Sequence, residues 1–196
     1  TSTDESGNTS DKSGSFNIIV DTAAPTLPMI THLTDDQTPN TGFVNNGQST
    51  NDDLPQINGT GAVGSTISVF EGENLLGTAV VDTNGTWTLQ LTEPLGEGPH
   101  NLTLSAENAA GNTIANDTPF TFTVDTEAPD APSIILVTDD VGTYQGELKS
   151  GDTTDDRRPT FSGTAEPNTQ VKIYDGQTLL GTATVGSNGE WSLTPT

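Results

Sequence analysis

The 196-residue chain has no cysteine, only five lysines and arginines, two histidines and 5% aromatic residues. Without cysteine it cannot carry the disulfide that braces many secreted eukaryotic β domains, which points to a bacterial module. The few cations stand against 27 Asp and Glu, leaving a net charge of −22. Such a chain repels phosphate backbones and anionic lipid, so neither nucleic acid nor a membrane surface is expected as a partner. No apolar run is long enough to cross a membrane as a helix, and membrane insertion is not expected. No signal peptide opens the sequence, so it reads as an internal stretch of something longer. A glycine-rich phosphate loop, a Gly-x-Ser-x-Gly elbow and a histidine-centred constellation are all missing, and no enzyme is expected. Paired carboxylates of the glycosidase kind are conceivable, but the acids of this chain recur in loops. His32 and His100 have no thiol partners for zinc and are assigned to strand surfaces.

What is present favours β structure. Hydrophobic residues make up 30% of the chain, alongside 21 glycines and 12 prolines. Short strands that bury one face each need few apolar residues, whereas a helical core needs more.

The chain repeats itself. Val20-Asp21-Thr22 and Ala24-Pro25 return as Val124-Asp125-Thr126 and Ala128-Pro129, an offset of 104 positions from Asp21 to Asp125. Leu75-Leu76-Gly77-Thr78-Ala79 returns as Leu179-Leu180-Gly181-Thr182-Ala183, and Asn84-Gly85-x-Trp87-x-Leu89 as Asn188-Gly189-x-Trp191-x-Leu193. No gap is needed, and about a third of the pairs are identical. A period of this length marks a tandem array of whole domains. Residues 21–124 form one complete repeat; residues 1–20 match its tail and residues 125–196 its front. The two ends are complementary except for a counterpart of about 93–104, so strand addition between neighbouring chains is a further expected partnership.

Alternation and turn signals predict seven strands in the complete repeat: 26–33, 56–60, 66–70, 75–81, 86–91, 101–107 and 120–124. Pro28 assigns the first to a sheet edge, and Asn84-Gly85 makes a hairpin turn. Trp87 and Trp191 are assigned to cores. Seven short strands in about a hundred residues suit an immunoglobulin-like β-sandwich. The predicted class is therefore all-β, with such sandwiches in tandem.

The acids are unevenly placed. With strands alternating in direction, the loop 34–54 lies at the pole where the last strand ends. Asp35, Asp36, Asp52 and Asp53 are thereby brought near Asp125, and Asp139, Asp140, Asp155 and Asp156 repeat the pattern with Asp152 close by. Asp21 is the equivalent of Asp125 one repeat earlier. Charge for solubility alone would not require this clustering. Crowded carboxylates call for a hard cation, and calcium takes six to eight oxygens from flexible loops. The spacing is not that of an EF-hand.

Together, Asp-Thr-x-Ala-Pro, the Asp-Asp pairs, Gly163-Thr-Ala-Glu-Pro-Asn168, Leu-Leu-Gly-Thr-Ala and Asn-Gly-x-Trp-x-Leu resemble bacterial Ig-like repeats of giant type I-secreted adhesins. The resemblance covers the whole chain. It implies an extracellular stalk, associated with virulence, whose distal tip meets host-cell glycans. It also implies calcium at junctions between adjacent repeats, carried here by Asp21, Asp125 and the loop acids. Two departures stand out. Gly61-Ala62-Val63-Gly64 replaces Ala165-Glu166-Pro167-Asn168, so a ligand from Glu166 has no equivalent, and Arg157 stands where the middle repeat has Asp53. The rival reading is a carbohydrate- or receptor-binding module, for which Tyr144 is the best exposed aromatic candidate. Asn8, Asn58, Asn84, Asn101 and Asn116 lie in sequons that are expected to stay bare in a bacterial chain.

Overall fold

The computed structural model describes residues 1–143 and 145–196; Tyr144, the aromatic candidate above, lies outside the described residues. Two compact units divide the chain, Thr1–Thr126 and Glu127–Thr196. Among the described residues there is no helix, so none is long and apolar enough to cross a membrane.

The first unit carries nine strands: β1 (Met29–Asp35), β2 (Gly42–Val44), β3 (Ser49–Thr50), β4 (Gln56–Thr60), β5 (Thr66–Glu71), β6 (Asn74–Val80), β7 (Thr86–Gln90), β8 (Gly98–Glu107) and β9 (Thr113–Val124). They form two sheets, in the orders β2-β1-β4-β7 and β3-β9-β8-β5-β6. Alternation puts Ile67, Val69, Leu102, Leu104, Ala106, Phe122 and Val124 inward, where they pack against Leu33, Ile57 and Trp87. The all-β sandwich and its predicted core are present as expected.

The seven predicted strands all exist, and the departures have local causes. The long loop after β1 is not irregular throughout: Gly42–Val44 folds back on Leu33–Asp35, and Ser49–Thr50 pairs parallel with Thr123–Val124. β1 is consequently not an edge strand. It lies between β2 and β4, and Pro28 is buried just ahead of its first residue. The last strand begins at Thr113, well before Phe120, because the ladder shifts register between Leu102 and Leu104. That irregularity tolerates Pro119, which has no N–H to give a regular ladder.

Gly59 explains how the tryptophan fits. It sits directly across from Trp87 in the β4–β7 ladder. A β-carbon there would lie 2.2 Å from the Met29 carbonyl oxygen and 2.4 Å from the Trp87 ring. Only a bare backbone lets the indole lie over β4 and donate from Nε1 to the Thr60 carbonyl at 3.1 Å.

The second unit repeats this construction in β10 (Ser133–Asp139), β11 (Gly146–Leu148), β12 (Thr160–Thr164), β13 (Gln170–Asp175), β14 (Thr178–Thr184) and β15 (Glu190–Leu193). One sheet runs β11-β10-β12-β15, and β13 pairs with β14. The registers reproduce those of the first unit, down to the irregularity at Ile134/Leu136 that mirrors Ile30/His32. Trp191 is buried with Val171, Ile173, Ala183 and Val185.

Residues 1–20 carry Phe16, Ile18 and Val20 at the positions of Phe120, Phe122 and Val124, and here these side chains are exposed.

Candidate functional site

The loops leaving β1, entering β4 and leaving β9 meet at one pole of the first unit. Asp35 and Asp52 are 3% and 2% exposed, so they are not solvated surface acids. Each closes a turn. The Gln37 N–H donates to Asp35 Oδ1 at 2.8 Å, and the Leu54 N–H donates to Asp52 Oδ1 at 2.9 Å. Thr50 stands between them: its hydroxyl donates to Asp35 Oδ2 at 2.6 Å and accepts from the Asp52 N–H at 3.1 Å. The Asp36 N–H reaches Asp52 Oδ2 at a long 3.4 Å. Asp35, Asp36 and Asp52 have no Lys or Arg partner among the described residues.

Burial pushes the Asp52 carboxyl above its ordinary range, and the negative charges of Asp35 and Asp36 add to that rise. Hydrogen bonds from the Leu54 and Asp36 N–H groups pull the other way and do not cancel it. Desolvating a charge without an opposite partner is costly in this manner.

The link to the following repeat starts at this pole. The Asp125 N–H donates to the Thr50 carbonyl at 2.9 Å, extending the parallel β3–β9 pairing. Glu97 accepts from the Thr126 N–H at 3.1 Å and also from the Thr126 hydroxyl. Asp53 is half-buried and contributes its main chain, accepting from the Leu95 N–H at 2.8 Å. Asp36 is exposed.

Glu127–Thr196 builds the same cluster from its own residues. Asp139 and Asp156 are buried; the Thr154 hydroxyl donates to Asp139 Oδ2 at 2.6 Å, and the Asp156 N–H donates to Thr154 at 3.0 Å. Asp140 and Asp155 are exposed. By the 104-residue offset Asp155 matches Asn51, so the third repeat has a carboxylate where the middle one has an amide. Asp152 instead closes a turn with Lys149, each accepting from the other's N–H. Asp21 is elsewhere, against the turn between β8 and β9.

Several of these partners were not visible beforehand. Thr50 and Thr154 could have been found, since they are identical across the repeat and flanked by the acids. Glu97 lies in the stretch without a counterpart and carried no signal. The surface assignment of His100 is corrected: it is 7% exposed, stacked on Phe122, with Nδ1 2.6 Å from Glu71 and Nε2 2.8 Å from the Gly96 carbonyl. Glu71 and Gly96 come together only when β5 and β8 pair. His32 is half-buried on β1 against Phe43.

Among the described residues no three His, Asp or Glu side chains are gathered so as to hold a metal by themselves. What each cluster offers is partial: two buried carboxylates and nearby main-chain carbonyls. Buried Oδ2 of Asp156 has no hydrogen-bond partner, and neither has buried Oδ1 of Asn51. Unsatisfied buried oxygens, all acceptors, fit a hard oxygen-seeking cation of the calcium type and do not suit zinc.

Two sheets packed face to face, antiparallel but for the β3–β9 pair and repeated along the chain, define tandem immunoglobulin-like β-sandwiches. The chain belongs to the bacterial Ig-like domain family, whose model matches residues 26–126 and again 131–196. No curated protein matches it. Among solved structures it is similar to a tetra-tandem repeat in the extending region of a large adhesion protein, at 20% identity and a TM-score of 0.35, over 88% of this chain and 41% of that one. It is similar to the BSP domain of a biofilm-associated protein, at 22% identity and a TM-score of 0.29, over 77% of this chain and 24% of that one. A third similarity is to CopC from Methylosinus trichosporium OB3b, at 17% identity and a TM-score of 0.30, over 41% of this chain and 84% of that one. The chain thus spans less than half the length of the first two.

Proposed function

We propose that this chain is a stalk segment of a large secreted bacterial adhesin, stiffened by calcium at the junctions between its repeats. The parent would be a cell-surface protein of the kind represented by the giant non-fimbrial adhesin of Salmonella, exported by a type I system. Its distal tip would meet host glycans, and this segment would be non-catalytic.

The observation that carries the reading is the recurrence of one arrangement in two repeats: Asp35–Thr50–Asp52 and Asp139–Thr154–Asp156. Each ties one buried carboxylate and the main-chain N–H of a second buried aspartate to a single hydroxyl, and Asp35 and Asp52 have no Lys or Arg partner among the described residues. In the first unit the link at Asp125 is tied to the same threonine. Asp35, Asp52 and Asp125, with Asp36 beside them, would hold the ion at one junction. Asp139 and Asp156, with Asp140 and Asp155, would hold the next. Calcium would supply positive charge where the fold has buried negative charge, and it would fix the direction in which the link departs.

Extracellular calcium modules bind with dissociation constants of roughly 10⁻⁴ to 10⁻³ M. A hundredfold excess over such a constant adds about 2.7 kcal/mol to the ordered state. Calorimetric titration with calcium, paired with X-ray scattering in calcium and in chelator, tests the proposal. Heat uptake and a larger maximum dimension in calcium are expected. No uptake, or identical dimensions, would sink it.

A further inference from the structure

The far end of the complete repeat fastens its incoming link in another way. Asn108 Nδ2 donates to Asp21 Oδ2 at 3.1 Å and to the Ala23 carbonyl at 2.9 Å. Asn112 Nδ2 donates to the Asp21 carbonyl at 3.0 Å. The Ala23 N–H in turn donates to Asp21 Oδ1 at 2.9 Å. Both asparagines belong to the turn between β8 and β9. Asn108 Oδ1 holds that turn by accepting from the Ala110 and Asn112 N–H groups, both at 3.0 Å, and Gly111 supplies the left-handed residue at φ +84°.

Three oxygens of the link, two from Asp21 and one from Ala23, therefore face asparagine side-chain amides. The same turn exists one repeat earlier with a different residue at its first position. Asp4 stands where Asn108 does, and Asn8 where Asn112 does. Asp4 accepts from the Ser6 N–H at 2.9 Å and the Asn8 N–H at 2.8 Å, so the turn itself is indifferent to the change. The link is not indifferent. An ionised Asp has no donor, and against Asp21 it would bring two negative charges together. A carboxylate set against Asp21 Oδ2 and the Ala23 carbonyl, with the Asn108 amide gone, leaves oxygens facing oxygens and calls for a cation there.

We infer that Asn108 and Asn112 form an ion-independent clamp that seats the Asp21–Ala23 link on the β8–β9 turn, the Asn108 amide taking the place a cation would fill were position 108 aspartate. The clamp is separate from the acid pole and stands whether or not that pole binds calcium. Asp21, expected as a metal ligand, is on this view held by amides at its own repeat.

Amide hydrogen exchange at Ala23, measured on the full 196-residue chain in millimolar calcium and in chelator, tests the inference. In the wild type, equal protection is expected in both conditions. Asn108→Ala should speed exchange at Ala23 roughly tenfold in both, the size expected for losing one or two exposed hydrogen bonds. Asn112→Ala, which keeps the turn's bond from the Asn112 N–H to Asn108 Oδ1, should act in the same direction. Asn108→Asp should lose protection in chelator and regain it in calcium. An unchanged tryptophan fluorescence spectrum, from Trp87 and Trp191 together, checks that each variant keeps its sandwiches. Wild-type protection that disappears in chelator would overturn the inference, as would Asn108→Ala exchanging at the wild-type rate. An Asn108→Asp variant indifferent to calcium would overturn the substitution of amide for cation. Calcium uptake by the whole chain reports on the acid pole and does not enter this comparison.

Discussion

The Thr50 hydroxyl donates to Asp35 Oδ2 at 2.6 Å, and 104 residues later the Thr154 hydroxyl donates to Asp139 Oδ2 at the same distance. In both repeats that hydroxyl also accepts from the N–H of a second buried aspartate. A threonine is thus the hinge pin of each acid cluster.

Thr50→Val keeps the shape of the side chain and removes its hydrogen bonds. Asp35 loses a donor and the Asp52 N–H an acceptor, both in a buried setting, so a loss of about 1–3 kcal/mol is expected. Thr50→Ser should retain most of the stability. Urea denaturation of the two variants in chelator checks this.

Asp52→Asn should change sign with the solvent. Asparagine can still accept from the Leu54 N–H, and it removes a buried charge beside Asp35 and Asp36. In chelator the variant is expected to be more stable than wild type; in calcium it should be less stable, having lost a ligand. Thermal melts in both buffers decide it.

The pH dependence follows from the same group. The folded state holds the Asp52 proton more tightly than the unfolded chain, whose carboxyl has its ordinary value of 3.8. Folding therefore binds protons in the window above that value, and this contribution to stability is lost as pH rises through the folded pKa. Melts of the metal-free protein from about pH 4 upward should show the decline, and Asp52→Asn should remove it.

Gly59→Ala places a methyl group 2.2 Å from a backbone oxygen and against the Trp87 ring. Overpacking of this sort costs about 1–3 kcal/mol or more. Near-ultraviolet circular dichroism should report the displaced indole. Gly163→Ala should do the same to Trp191, since its added carbon meets the Ser133 carbonyl and that ring.

Much of this fold was legible because the chain contains its own comparison. Trp87 and Trp191, the Asn-Gly turns and the Leu-Leu-Gly-Thr-Ala segments locate strands in both copies without reference to any other protein. Local chemistry misled at proline: Pro28 suggested an edge, whereas pairing with β2 and β4 made β1 an inner strand. Asp35 and Asp52 meet around Thr50 at one end of the sandwich. Their burial was not readable, because it depends on Thr50 reaching Asp35 and on turns that fold over Asp52. His100 was misassigned for the same reason, its partner Glu71 being 29 residues away.

The parallel pairing of β3 with β9 has a mechanical consequence. The chain enters β1 at one pole and leaves β9 at the other, so tension applied through the links tries to slide these strands in opposite directions. β9 is flanked by β8 on one side and, near its exit, by β3 on the other. A pull at Asp125 must therefore shear hydrogen bonds on both flanks together, because no free edge is available to unzip one bond at a time. The Thr126–Glu97 bonds meet that load first and the Asp125–Thr50 bond next, and Thr50 passes it on to the buried Asp35 carboxylate.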